Sequence, residues 1–299
     1  MNAKRLHVLS VACLLSVASA HAADDDKVPK SAHPLPLWKV EGQKSTVYLL
    51  GSVHFLKAGD YPLAGPIESA YSNAQVVVFE TDMGAMESMK VQAKMASKSQ
   101  LPADQTMRDW LSPEVYINFE KHASATGLPP ALFDRLKPSV AAVAVVALEM
   151  QKMGFDPAYG VDQHFFNRAQ KDGKQIVPLE TVDFQIGLIT DLTKEEAGLM
   201  VRTLLADFDN VRNEIKTLMQ AWQQGDTVKL EKLLNEATRE APGIYRRFVT
   251  DRNERWVPKI EELARGDKPA IVIVGAGHLV GQDGVVNLLK KRGLTLTQM

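Results

Sequence analysis

Short, continuously apolar runs recur along this chain and predict the strands of a sheet. Four of them lie at residues 47–50, 76–79, 175–179 and 271–274, and each is followed at once by a glycine or a glutamate. Runs of this length without polar alternation are typical of strands that are buried on both faces. The pattern therefore predicts four strands inside a layered fold.

Stretches with helical periodicity separate these runs. They cover residues 67–74, 139–153, 161–171, 243–263 and 284–292. Strands that alternate with helices are typical of an α/β fold, here a mostly parallel central sheet with flanking helices.

Two long spans, 84–153 and 182–265, contain no run of strand type. Helical patterns at 86–97, 102–110 and 113–126 occupy the first of them, and two of these begin at a proline, a residue favoured in the first helical turn. We expect both spans to be helical insertions that cap the carboxyl ends of the strands.

The N-terminus has the pattern of a bacterial secretory signal peptide. Lys4 and Arg5 precede an apolar run at 8–17, and the small residues around His21 form a cleavage site near Ala22. The run is too short to span a bilayer. We expect residues 1–22 to be removed and the mature chain to be periplasmic or secreted.

Cleavage there removes Cys13, the single cysteine, and shifts the net charge from −1 to −3. A chain without cysteine suits an oxidising compartment, because it cannot mispair there. In the alternative reading Cys13 is the lipidated residue of a lipoprotein. Residues 23–36 are polar and contain proline, which predicts a flexible lead-in to one domain over 37–299.

Composition narrows the class of protein. Apolar residues make up 45% of the chain and charged residues 24%, which are ordinary globular values. The net charge is close to zero, so the composition gives no indication of the excess positive charge that is typical of nucleic-acid-binding proteins. Beyond residue 22 no stretch reaches membrane-spanning length without charges, so we expect no integral membrane span.

Polar side chains follow each of the four predicted strands at its end. They are His54, Glu80, Glu180 and His278. In a parallel α/β sheet, ligands bind outside the carboxyl ends of the strands. If the four strands are parallel neighbours, these four side chains lie together at one edge of the sheet.

The two histidines have matching surroundings. His54 ends the sequence GSVH and His278 ends GAGH, and both motifs follow an apolar run directly. Glycine at that point lets the chain turn sharply and lets the backbone approach a ligand. Only five histidines lie beyond residue 22, so the repeated pattern favours a functional pair over two histidines that merely close turns.

Two imidazoles and one or two carboxylates suit two kinds of chemistry. They are a ligand set for a divalent metal such as zinc, manganese or cobalt, which would activate a water molecule. Without a metal, His54 can activate water itself while Glu80 orients the ring. Glu180 would be a fourth metal ligand or the general base. The structural alternative for Glu80 and for Glu180 is that each belongs to the cap of the segment that follows it.

Three further residues are candidates for substrate binding. Asp162 opens a predicted helix together with His164, where both either support the site or cap the helix at the surface. Arg252 and Asn253 lie in a run of charged residues and would reach an anionic or amide group. A solvated helix face with internal salt bridges is the alternative for that run.

Several segments together carry a family resemblance. In chain order they are LWKV at 37–40, VYLLGSVH at 47–54, VVFE at 77–80, GVD at 160–162, LET at 179–181, RN and RW at 252–256, and VGAGH at 274–278. In this order they resemble the TraB/GumN family, and the similarity runs from about Pro36 to the C-terminus. That family is related to the Tiki proteases, to erythromycin esterases and to haem-binding ChaN-like proteins.

The resemblance implies an α/β core with one site built from His54, Glu80 and His278. It also implies a metalloprotease that depends on manganese or cobalt, with a peptide or small-molecule substrate. We therefore expect a periplasmic metal-dependent hydrolase. The alternatives are a metal-free esterase-type hydrolase and a non-enzymatic protein that binds haem or another ligand through one of the histidines. The substrate and the oligomeric state are left open.

Overall fold

The computed structural model describes residues 33–41, 44–206, 210–239 and 241–299. The expected signal peptide lies outside these residues, and so does most of the lead-in. Leu35 and Pro36, at the end of the expected lead-in, are buried. The Leu35 N–H donates to the carbonyl of Met299 over 2.8 Å, which ties the start of the described chain to its end.

The centre of the fold is one six-stranded mixed sheet in the order β4-β3-β5-β2-β1-β6. The strands are β1 (Leu37–Glu41), β2 (Val47–Ser52), β3 (Val76–Phe79), β4 (Gln175–Pro178), β5 (Ala270–Gly275) and β6 (Thr295–Gln298). The four expected strands are β2, β3, β4 and β5. They are adjacent and parallel, which confirms the α/β expectation.

Two strands of the sheet, β1 and β6, lack the continuous apolar run and were not predicted. β1 and β6 are antiparallel to their neighbours and extend the sheet beyond β2. Polar residues interrupt their apolar pattern, LWKVE and TLTQ, and Leu296 is the one buried residue of β6. A search for continuous apolar runs misses such strands, because strands near a sheet edge have one face in contact with water.

Helices surround and cap this sheet. They are α1 (Gly65–Asn73), α2 (Met83–Met86), α3 (Met89–Lys98), α4 (Pro113–Ala125), α5 (Pro138–Lys152), α6 (Val161–Lys171), α7 (Val182–Thr190), α8 (Lys194–Leu205), α9 (Val211–Gln223), α10 (Thr227–Glu231), α11 (Ala237–Arg239), α12 (Pro242–Tyr245), α13 (Asp251–Arg265) and α14 (Val285–Lys291). None of the helices in the described part of the chain has the length and apolar character to cross a membrane.

Both faces of the inner parallel strands β2, β3 and β5 are covered, whereas β4 at the edge of the sheet is partly exposed. All four residues of β3 are buried, although successive side chains point to opposite faces. The ring of Tyr71 on α1 packs against Phe165 on α6 at 4.9 Å, and Phe166 packs edge-on against Phe79 of β3. This burial on both faces explains why β2, β3 and β5 are continuous apolar runs, and the expectation of burial on both faces is wrong for β4, because it is an edge strand.

The expected helical insertions are helical in the described residues, with one local correction. The helix expected at 102–110 is wrong, because only a 3₁₀ turn, Met107–Asp109, forms there. Its cap is local: the Asp109 carboxylate accepts from the N–H and the hydroxyl of Thr106. Two π-helical turns, Lys232–Glu236 and Arg246–Thr250, interrupt the second insertion.

The strand register places the carboxyl ends side by side. Ser52 of β2 lies beside Gly275 of β5. Phe79 of β3 lies between Ile273 of β5 and Pro178 of β4. The residues that follow these strands therefore leave the sheet at nearly the same level.

Candidate functional site

The space around Gly275 brings three of the four strand-end side chains together. A Cβ atom placed on Gly275 would lie 3.4 Å from Glu80 Oε1, 3.5 Å from His278 Cδ2 and 3.8 Å from His54 Nε2. Because Gly275 has no side chain, the space between Glu80, His278 and His54 is left open at this point. The expectation that these residues meet at one sheet edge is confirmed.

His54 is oriented by Asp162. Its Nδ1 lies 2.9 Å from Asp162 Oδ2, and both side chains are about one-fifth exposed. Gly160 makes this contact possible, because a Cβ there would lie 2.5 Å from the His54 carbonyl oxygen. Asp162, in the first turn of α6, thus contacts the site. This agrees with a supporting role for Asp162 and not with a cap at the surface. With the carboxylate as acceptor, Nδ1 carries the proton and Nε2 is turned towards Gly275.

His278 is held in a defined tautomer by two neighbours. Arg252 Nη1 lies 3.0 Å from Nε2, and Asn253 Oδ1 lies 2.7 Å from Nδ1. Because a guanidinium only donates, Nε2 is the acceptor and Nδ1 carries the proton. Burial lowers the pKa of His278 to about 3, and the Arg252 charge adds to the shift. The ring is therefore neutral near neutral pH.

Glu80 is a buried, ionised carboxylate. Its Oε1 accepts the Gly275 N–H over 2.8 Å, and its Oε2 accepts Arg252 Nη2 over 2.5 Å. Burial alone would raise the pKa of this carboxyl. The Arg252 charge, the two histidines and the backbone N–H outweigh burial and hold the pKa well below its usual range.

Arg252 links the polar groups into one buried cluster. Its guanidinium donates to both oxygens of Glu180 at 2.9 to 3.1 Å and stacks over Trp256 at 4.7 Å. Its side chain is 3% exposed, and Asn253 is fully buried. The alternative of a solvated helix face is therefore wrong for these two residues.

The contacts of Glu180 and Asn253 indicate that these residues hold neighbouring side chains in place and do not face the cavity. Gln185 donates to Glu180 Oε2 over 2.7 Å and Trp256 donates to Oε1 over 3.0 Å, in addition to the Arg252 contacts. Neither Glu180 nor Asn253 lines the cavity described next. The role of Glu180 as ligand or base stays a prediction, and so does substrate binding by Asp162, Arg252 and Asn253.

A cavity of about 90 Å³ opens beside these groups. Strand-end residues form its polar side, namely Ser52, His54, Gly275, Gly277 and His278. The capping helices form an apolar side, which consists of Met150, Leu188, Ile215, Leu218, Met219, Leu234, Phe248 and Val249. The fold therefore places the two histidines at the boundary between a polar sheet edge and an apolar cap.

The donor set does not fit a metal as it is arranged. In the described part of the chain no group of three or more histidine, cysteine or carboxylate side chains is placed to hold an ion. Arg252 donates to both His278 Nε2 and Glu80 Oε2, two of the three expected ligands. A metal cation on these atoms would have to displace the guanidinium, and the two positive charges would repel each other.

Sequence reasoning missed three polar residues of the cavity wall, one of which is Gln185, the donor to Glu180. Asn235 donates from Nδ2 to the Gly277 carbonyl over 2.8 Å and braces the GAGH turn, but nothing in its surrounding sequence indicates this role. Ser52 lies inside the GSVH motif, so the motif itself pointed to it. Its hydroxyl is buried and has no hydrogen-bond partner among the described residues.

Comparisons with known proteins identify relatives of this chain. The chain is 24% identical over 247 residues to the uncharacterized protein YbaP of Escherichia coli (strain K12), covering 81% of this chain and 87% of that relative. It is 21% identical over 275 residues to an uncharacterized protein of Treponema pallidum (strain Nichols), covering 86% of this chain and 80% of that relative. No solved structure matches the chain. Because the sequence model of the TraB/PrgY/gumN family matches residues 36–298, the chain belongs to that family.

Proposed function

We propose that this protein is a hydrolase of esters or amides, including peptide bonds, in which His54 acts as the general base. The observation that carries the proposal is the 2.9 Å contact between His54 Nδ1 and Asp162, which turns Nε2 towards the open point at Gly275. A histidine oriented by a carboxylate at the edge of a cavity is an arrangement that activates water.

The reaction follows from these positions. His54 Nε2 takes a proton from water as the water oxygen attacks the carbonyl carbon of the substrate. Asp162 stabilises the imidazolium that forms. The imidazolium then returns the proton to the leaving alcohol or amine as the bond to carbon breaks. His278 stays neutral and accepts from Arg252, and Arg252 keeps the Glu80 carboxylate fixed beside the reacting atoms.

This proposal is the metal-free alternative of the sequence analysis, with Asp162 in the orienting role that was assigned there to Glu80. Metal ligation by His54, Glu80 and His278 stays a prediction, and it requires Arg252 to leave two of the ligands. Haem ligation stays a prediction as well. It is disfavoured at His278, because both ring nitrogens are engaged in hydrogen bonds. Periplasmic or secreted localisation also stays a prediction.

Gly275→Ala is expected to remove activity without unfolding the protein. The added methyl group would sit at ordinary contact distance, 3.4 to 3.8 Å, from Glu80, His278 and His54, so it fits. It would occupy the space where water meets His54. We expect a loss of at least about 100-fold in kcat/KM, comparable to removing acid–base catalysis. Stability by thermal unfolding should change by no more than about 1 kcal/mol.

Gly59→Ala is the matched control, since a Cβ there has no atom within 4 Å. It should leave both activity and stability unchanged. Full activity in a folded Gly275→Ala variant would contradict the placement of the reaction at this point.

Metal content separates the proposal from metal-dependent hydrolysis. After equilibration with manganese, cobalt and zinc and removal of free ions, we expect mass spectrometry to find far less than one metal per chain, because Arg252 occupies the ligand atoms. Near-stoichiometric metal that is lost in a folded His54→Ala, His278→Ala double variant would overturn the metal-free mechanism. It would leave the site assignment in place.

A further inference from the structure

The walls of the cavity define the part of a substrate that fits inside it. The side away from the sheet edge consists of aliphatic, thioether and aromatic side chains from five different elements, including α5, α7 and α9. Ile215 is fully buried, and Leu218 and Met219 are each less than a tenth exposed. Apolar surface of this kind binds an apolar group by removing it from water.

Electrostatics disfavour a charged group in this cavity. Among the lining residues that the structure describes, Arg252 is the one lysine, arginine, aspartate or glutamate. Its guanidinium already faces Glu80, Glu180, His278 and the Phe248 carbonyl. A substrate carboxylate would have to compete with two buried carboxylates for this cation, and a substrate ammonium would find both of these carboxylates already paired with it. Burial of an unpaired charge is costly, so the group that enters is uncharged.

One hydroxyl group of a residue in the cavity wall has no hydrogen-bond partner in the described structure. It belongs to Ser52, which lines the cavity, and its oxygen is buried. Buried hydroxyl groups without a partner are uncommon in folded proteins and need an explanation. A ligand atom that donates or accepts one hydrogen bond at the polar end of the cavity would satisfy it.

We propose that the cavity binds a short, uncharged aliphatic acyl group, with the Ser52 hydroxyl hydrogen-bonded to the carbonyl oxygen at its head. A cavity of about 150 Å³ with similar walls holds one benzene molecule, so 90 Å³ corresponds to an aliphatic chain of about four carbon atoms. The inference rests on the proposed hydrolysis, because it places the carbonyl carbon of that acyl group beside His54.

A series of p-nitrophenyl esters measures the acyl preference directly. The wild-type protein is assayed with the acetate, butanoate, hexanoate and decanoate. We expect kcat/KM to be highest for the butanoate and about tenfold lower for the acetate, because two fewer methylene groups are buried. The decanoate should also be cleaved more slowly than the butanoate, because its chain exceeds the cavity.

Two substitutions in the apolar wall should move this optimum in opposite directions. Met219→Ala enlarges the cavity and should shift the preference from butanoate to hexanoate. Val249→Phe narrows it and should shift the preference to acetate. Met200→Ala on α8 is the matched control, since Met200 is equally apolar and buried but does not line the cavity. Partial unfolding lowers all rates together and cannot move the optimum both ways.

Ser52→Ala tests the polar end. Loss of one hydrogen bond should weaken binding of butanamide to the protein about fivefold, measured by calorimetry. The same substitution should leave the chain-length optimum unchanged, because the apolar wall is intact. Unchanged butanamide affinity in a folded Ser52→Ala variant would overturn the assignment of this hydroxyl.

Amide binding also separates this inference from the proposed function. The same four acyl groups, presented as primary amides, are titrated into the His54→Ala variant. If the wild-type protein hydrolyses no ester but the amides bind with a butanamide optimum, the hydrolase proposal fails and the acyl site stands. If the esters are hydrolysed without any chain-length preference and the amides bind equally at all lengths, the acyl site is wrong and the hydrolase proposal stands.

Discussion

Replacing His54 by alanine is expected to lower kcat/KM for ester or amide hydrolysis by about 1,000-fold, the middle of the range for loss of a general base. The substitution removes the nitrogen that takes the proton from water. The side chain is only partly buried, so folding should persist. Steady-state kinetics together with circular dichroism would measure both effects. A folded variant with full activity would show that the site is wrongly assigned.

Asp162→Asn tests the orientation of His54 separately. An amide keeps the shape of the carboxylate but removes the charge that stabilises the imidazolium. It also permits the wrong tautomer of the ring. We expect a drop in kcat of about 100-fold or more with a smaller change in KM. Asp172→Asn, just after the end of the same helix, is the control, because Asp172 accepts from Tyr71 and not from the site. Equal losses in both variants would point to a general defect in α6.

Arg252→Met is expected to cause the largest loss of stability. It leaves the carboxylates of Glu80 and Glu180 buried without their shared cation and removes the donor to His278. Breaking a buried ion pair in this way costs about 3–5 kcal/mol in free energy of unfolding. Urea unfolding followed by circular dichroism would measure the loss.

Arg255→Met on the same helix is the matched control. Arg255 is half exposed, lies 4.0 Å from Glu180 and stacks on Phe184. Exposed ion pairs of this kind contribute at most about 1 kcal/mol. If Arg252→Met costs no more than Arg255→Met, the buried cluster does not have the charges described for it. If Arg252→Met simply fails to fold, Arg252→Lys should restore part of the stability, because it returns the cation without the bidentate geometry.

Most of the parallel sheet could be predicted from the sequence. Strands β2, β3 and β5 are continuous apolar runs, because both of their faces are covered and no position needs to be polar, whereas β4 at the sheet edge is partly exposed and begins with Gln175. Strands β1 and β6 could not be found this way. They lie where one face meets water, and residues such as Lys39 and Thr297 interrupt their apolar pattern. The α6 helix was predicted with its observed bounds, whereas the stretch at 102–110 was not, because local capping by Asp109 limits it to a single turn.

The candidate site was predicted in part. Each of His54, Glu80, Glu180 and His278 follows a strand, and parallel strands end at one edge, so their convergence follows from the sequence. The partner of each side chain does not. Nothing in the neighbourhood of Arg252 along the chain distinguishes a buried cation from a solvated one, since its contacts are 72 and 172 residues away along the chain.

The sequence by itself therefore determined the type of fold, the strand ends at which chemistry is possible and the family to which the chain belongs. Only the tertiary structure decided that Asp162 orients His54, that Arg252 occupies atoms expected to bind a metal, and that an apolar cavity lies beside them. The reason is physical. Strand and helix patterns reflect burial of each residue relative to its near neighbours, whereas hydrogen bonds, ion pairs and cavity walls depend on which distant segments the packing brings into contact.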